Sequence, residues 1–242
     1  MNCPAIAGSR LGGDNFDFCI LNFDMISNSY PGFFVDIEGI DGAGQSTQAT
    51  LVSQALQKEG YPVVVTRNAP KKMPIGKLIR EALNHKVKVS LTTLEFLYAA
   101  DHSDRQEKEV ITALKKGKII VADRSIWSFI AYGALEMDRD WLFNLVRHLI
   151  FPDLTILLKV TPQVALKRIA ENRPARDFFE KEKTLSEVWQ NYQWLAKKYS
   201  DRIRVIDGEK PIEAVTEEIV GIIREHPKFN LCSNKPTHKF TN

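Results

Sequence analysis

A chain of 242 residues, 44% hydrophobic and 26% charged, can bury one sizeable core and has the composition of a soluble globular domain, while a formal net charge of +3 is too small to imply a nucleic-acid partner. Three cysteines, Cys3, Cys19 and Cys232, fall outside the patterned region in odd number, which argues against a disulfide framework and for a reducing, cytoplasmic compartment. No apolar run approaches the roughly 20 residues of a membrane helix, since "LTILLKV" is stopped by Lys159, and the first residues lack the basic leader and apolar stretch of a signal peptide.

Residues 1 to 31 mix glycine, asparagine, serine and Asp14, Asp17 and Asp24 with a few aromatics and keep no period; they read as a poorly ordered N-terminal extension. Met25 is an alternative biological start, which mass spectrometry of the native N-terminus would decide. From residue 32 to 226 short apolar runs alternate with amphipathic segments. "FFVDIE" predicts a buried strand, followed by a helix from about Gln45 to Glu59 and a second strand, "YPVVVT", after Gly60. A long helical pattern runs from Ser90 to Lys116 and is closed by Gly117. Then come "KIIVAD", helical segments to about Ile150, "LTILLKV", a helix opened by Thr161 and Pro162, another from about Phe178 to Tyr199, "IRVID", and a last helix from Pro211. The segment from residue 227 to 242 is polar and aperiodic and reads as a flexible tail.

Strands alternating with helices predict an α/β domain, a parallel sheet with helices on both faces. Ligands of such sheets sit beyond the carboxyl ends of the strands. The positions to inspect are therefore Glu38 to Ser46, Thr66 and Arg67, Asp123 to Ser125, and Val160 to Pro162.

The turn after the first strand, "GIDGAGQST", matches the phosphate-binding pattern G-x-x-x-x-G-K-[ST] at Gly39, Gly44 and Ser46, with Gln45 where lysine is expected. Three glycines let the backbone turn tightly and aim successive N–H groups at a phosphate in front of a helix N-terminus. Gly39, Gly42, Ala43, Gly44, Gln45, Ser46 and Thr47 are thus the expected set for the phosphates of ATP, with Ser46 placed to ligate Mg²⁺. Gln45 can still donate a hydrogen bond, but it brings no charge.

"EGIDGAGQST" resembles the thymidylate kinase pattern, in which the strand ends in Glu-Gly and an aspartate precedes the second glycine. The resemblance continues collinearly through "VVVTRNAP", "FLYAADH", "VADRSIWSFIAYGAL", "PDLTILLKVTP" and "VIDGEKPIEAVTEEI", roughly from Phe33 to Arg224. It implies the P-loop NTPase fold with a five-stranded parallel sheet, ATP and dTMP as substrates, Mg²⁺, and a homodimer. Asp41 and Arg124 are implied in catalysis and acceptor binding, and Asp123 in holding the metal. Arg67 falls where a guanidinium can fork onto the acceptor phosphate, with Lys71 and Lys72 beside it. The family often has Arg-Glu-Pro there, and Asn68 and Ala69 replace the acid.

Tyr98 takes the position of the ring that stacks on thymine, and His102 stands where the family places an arginine at the base edge. Arg105, three residues on and on the same helical face, is a candidate substitute. Ser128 and Tyr132 match positions around the sugar and base. The basic cluster Lys167, Arg168, Arg173 and Arg176 is interrupted by Pro174 and falls on the family's ATP lid, which makes Arg173 and Arg176 candidates for the transition-state cation. Two alternatives accompany this reading: a deoxynucleoside kinase with Glu38 as base, and a nucleotide-binding module without catalysis.

Overall fold

A computed structural model of the chain describes residues 25–172 and 181–232. Its sheet has five parallel strands: β1 (Phe33–Gly39), β2 (Val63–Arg67), β3 (Ile119–Asp123), β4 (Leu154–Lys159) and β5 (Ile203–Asp207), in the spatial order β2-β3-β1-β4-β5. Every residue of β1 and β3 is buried, as a parallel sheet covered on both faces requires. The register sets Arg67 of β2 beside Asp123 of β3, and Asp123 beside Ile37 of β1. The strand ends named from sequence therefore come together along one edge.

The helices are α1 (Gln45–Lys58), α2 (Pro74–Leu83), α3 (Leu91–Arg105), α4 (Ile111–Lys115), α5 (Ile126–Gly133), α6 (Arg139–Val146), α7 (Pro162–Asn172), α8 (Glu182–Lys198), α9 (Ile212–Glu225) and α10 (Pro227–Cys232). Local chemistry explains several boundaries. Pro74 opens α2, the Ser90 hydroxyl accepts from the Thr93 N–H to cap α3, and Asp138 caps α6 through the Trp141 N–H. The expected helix from Ser90 to Lys116 is split by a π-helical turn at Gln106–Val110, where the buried Gln106 amide exchanges hydrogen bonds with the backbone N–H and carbonyl of Ile150. Gly117, with φ 69°, closes α4 in the left-handed conformation that its sequence position predicts.

The main core lies on both sides of β1 and β4, with Trp127, Phe151 and Tyr199 packed ring against ring. The packed region extends past both expected boundaries at 32 and 226. Ile26 pairs with Ile150, Asn28 is buried and donates to Asp153, and Lys228 of α10 forms an ion pair with the same carboxylate. Phe229 is buried against Phe33 and Tyr61. One aspartate thus ties residues 26–28 and α10 to the sheet, and one phenylalanine supplies the apolar anchor. Polar composition alone concealed both.

Candidate active site

Two cavities meet at the start of α1. The first, of about 270 Å³, is lined by Asp41, Gln45, Ser46, the segment Arg67–Ala69, Arg80, Leu83, Glu95, Tyr98, Asp123, Arg124, Ser128, Phe129 and Tyr132. The second, of about 490 Å³, follows the loop from Asp41 to Gln48 and is closed by Leu158, Arg168, Ile169, Gly208, Lys210, Ile212 and Val215. Asp41, Gln45 and Ser46 belong to both, so the glycine-rich turn is the partition between them.

That turn is built by backbone conformation. Gly42 has φ 83°, and a side-chain carbon there would stand 2.4 Å from the Ala165 carbonyl oxygen, so α7 approaches too closely for any other residue. Gly44, with φ 99°, caps α1, whose first turn carries no acidic side chain. The unshared amides and positive end of this helix are left for an anion. Ser46 and Thr47 are exposed at its mouth. Gln45 is 7% exposed, and its side-chain oxygen is buried without a hydrogen-bond partner among the described residues. Arg168 donates to the carbonyls of Ala43 and Gly208, which braces the loop from behind.

The opposite wall is built from side chains. Arg124 has φ 70°, a left-handed conformation that costs a non-glycine residue about 1–2 kcal/mol. Its Nη2 reaches Asp41 Oδ1 at 2.7 Å and the Tyr132 hydroxyl at 3.3 Å, while Nη1 reaches the Ser128 and Tyr192 hydroxyls at 3.2 and 3.3 Å. Behind these hydroxyls lies Glu38, fully buried, which accepts from the N–H groups of Ser125 and Ser128 and from the hydroxyls of Ser128 and Tyr192. Burial raises its carboxyl, and the charge of Arg124 works against that rise. Asp36, two residues earlier, is pushed well above the usual carboxylate range, first by burial and then by Glu38, and accepts from the Ser125 hydroxyl. Glu38 does not line either cavity, so it is a scaffold for Arg124 and has no access to a substrate hydroxyl. This corrects its candidacy as a base.

Arg67 extends from β2 between Asp123, 3.6 Å from its Nε, and Thr50 of α1. Arg80 of α2 also enters the first cavity while donating to the Ala69 carbonyl. Ala69, with φ 47°, gives its N–H to Asp101. Arg124 and Ala69, two of the three left-handed non-glycine residues among those described, line this same cavity.

Of the expected acceptor residues, Asp41, Arg67, Tyr98, Arg124, Ser128 and Tyr132 converge there, whereas His102 and Arg105 do not. Both are buried one layer behind. Arg105 donates to Asp101 at 2.9 Å, Thr66 at 3.0 Å and Asn68 at 2.7 Å, with His102 Nδ1 2.9 Å away. Burial, and secondarily Arg105, pull His102 well below its ordinary range, so it is neutral and packs against Phe129. Arg105 is thus consumed in holding the Thr66–Ala69 loop. Lys71, Lys72 and Lys167 are exposed and outside both cavities. Arg173 and Arg176 lie outside the described residues. Sequence reasoning missed Arg80, Glu95 and Tyr192; a glutamate three residues before Tyr98 on the same helical face was the available signal for one of them.

The model of the family described as "Thymidylate kinase" matches residues 37–219. The chain belongs to the thymidylate kinase family. It is 35% identical over 204 residues to a probable thymidylate kinase of Thermococcus gammatolerans, with 80% of this chain and 97% of that protein covered. It is 31% identical over 203 residues to the thymidylate kinase of Caldanaerobacter subterraneus subsp. tengcongensis, covering 81% and 97%. Among solved structures, the thymidylate kinase of Candida albicans superposes with a TM-score of 0.69 at 26% identity, covering 82% of this chain and 93% of that one. The P-loop kinase fold and the phosphotransferase class of this thymidylate kinase family member follow. No helix among the described residues is long and apolar enough to cross a membrane.

Proposed function

We propose that this chain transfers the γ-phosphoryl group of ATP to dTMP, giving ADP and dTDP. The observation that carries the reading is the pair of cavities sharing one partition. Phosphate-binding backbone lines one of them, and in the other an arginine-rich wall is continuous with apolar and aromatic side chains. A dTMP phosphate oxygen attacks the γ-phosphorus as the bond to the ADP oxygen breaks; the attacking group is already an anion near neutral pH, so no general base is needed. Alignment and positive charge are what the protein must supply.

Arg124 and Arg67 hold the acceptor phosphate, Asp41 fixes Arg124, and the amides from Gly39 to Thr47 hold the ATP phosphates, with the side chain of Gln45 adding a hydrogen bond in place of the lysine's charge. Ser46 and Asp123 face one cavity and provide a hydroxyl and a carboxylate, a donor set that suits Mg²⁺ completed by phosphate oxygens and water. When bound, the ion neutralises charge on the transferring group. Arg173 and Arg176 are proposed as the lid cations that replace the missing lysine. Action as a cytoplasmic homodimer completes the proposal.

A coupled ADP-release assay with ATP, Mg²⁺ and a panel of dTMP, dUMP, other monophosphates and thymidine tests it. Turnover with dTMP and none with thymidine is expected. ATP binding without turnover on any acceptor would instead mark a nucleotide-binding module.

A further inference from the structure

We propose that Glu95 reads the ring edge of the acceptor's base, and that it admits pyrimidine monophosphates carrying either a carbonyl or an amino group at ring position 4. The inference rests on the assignment of the first cavity to the acceptor.

Glu95 is on α3, is 4% exposed, and lines the first cavity with Leu83, Tyr98, Phe129 and Tyr132. Its Oε2 is buried without a hydrogen-bond partner among the described residues. A buried carboxyl with an unmet oxygen is costly, and this oxygen lies against Gly133 of α5, where a side-chain carbon would stand 3.2 Å away, so the missing side chain leaves it room but no partner. A ligand entering the cavity would complete it. The position at which the family places its base-edge arginine is occupied by His102, which sits behind Phe129, and Arg105 is fully engaged with Asp101, Thr66 and Asn68. Glu95 is thus the acid that this chain places in the wall of the cavity beside its apolar side chains.

Burial pushes its carboxyl up to about 8. The groups that line the first cavity with it are Tyr98 on its own helix, Arg80 from α2, Asp41 and Arg124 at the strand ends, and Tyr132 from α5. Arg67 and Asp123 are occupied with each other. On its other side, in an adjoining cavity, stand His85, Glu136, Lys181 and Glu187. Burial is the cause of that rise, so Glu95 carries its proton at neutral pH.

A neutral carboxyl offers one donor and one acceptor, and either oxygen can hold the proton. In one order it gives its proton to the position-4 carbonyl of thymine or uracil and accepts from ring N3–H. In the other it accepts from the amino group of cytosine and donates to N3. A guanidinium only donates, so it would serve the carbonyl base and oppose the amino base.

Steady-state kinetics of the full chain with saturating ATP and Mg²⁺, on dTMP and dCMP between pH 6.5 and 9.5, test this. The wild type should use dCMP within about tenfold of dTMP in kcat/KM, and its KM for dTMP should rise above pH 8 as the carboxyl loses its donor. Glu95→Leu should raise the acceptor KM about tenfold or more and leave the KM for ATP unchanged. Glu95→Gln, which keeps a donor and an acceptor but cannot ionise, should stay within about threefold at pH 7 and lose the alkaline rise. An unchanged acceptor KM in Glu95→Leu, an alkaline rise that persists in Glu95→Gln, or rejection of dCMP by more than about a hundredfold would overturn the proposal. If the wild type turns over no acceptor, the kinase reading fails separately. Calorimetric dTMP binding then decides, with a tenfold weaker Kd in Glu95→Leu expected and an equal Kd contradicting the proposal.

Discussion

The two walls of the proposed catalytic cleft are made in different ways. The phosphate-loop wall is backbone: Gly42 and Gly44 in left-handed conformations, the amides of a helix start, and a neutral Gln45. The acceptor wall is side chain: Arg67, Arg80 and Arg124, each held by a hydrogen bond or ion pair to a neighbour that lines the same cavity. Without its one cation the backbone wall still offers amides and a helix dipole to an anion. A side-chain wall has no such reserve, and each arginine depends on its supports. On the proposed function, charge at the point of transfer comes from outside the loop.

The largest effect should come from breaking the acceptor wall at its centre. Arg124→Ala removes the cation and leaves Asp41 unpaired, and should lower kcat/KM for dTMP on the order of a thousandfold with little change in ATP binding. Arg105→Leu strikes the support: Asp101 loses its buried partner, and the loop carrying Arg67 and Ala69 loses the two hydrogen bonds that Arg105 gives to Thr66 and Asn68. Urea unfolding should show a loss of about 3–5 kcal/mol, although Arg105 touches neither cavity. Tyr192→Phe is the mildest test. Removing one hydroxyl from between Arg124 and Glu38 should cost about 1 kcal/mol in urea unfolding and only a few-fold in kcat/KM. A loss as large as that of Arg124→Ala would mean that the scaffold, and not the arginine's own charge, dominates.

The backbone wall was legible in the sequence because its information is local: glycine spacing, a strand before it and a helix after it. The five strands and their order of appearance were legible for the same reason. The acceptor wall was only partly so. Asp41, Arg67 and Arg124 sit at strand ends, where the topology forces convergence, and they converged. His102 and Arg105 share a helical face with Tyr98, but periodicity gives direction without depth, and both residues lie a layer too deep. Tyr192 is 68 residues from Arg124 along the chain and looks like core, so no local signal links it to the site. Glu95 was missed, although an acid three residues before Tyr98 on the same helical face conflicts with simple burial. The terminal segments were hidden because Asp153, which anchors both, lies far along the chain from either.

The most direct measurement is kcat at saturating ATP and dTMP for Gln45→Ala beside Arg173→Ala and Arg176→Ala. If positive charge has moved from the loop to the arginines around it, Gln45→Ala stays within about tenfold of the wild type, and at least one lid arginine costs about a hundredfold or more. Equal, small losses from all three substitutions would contradict the account.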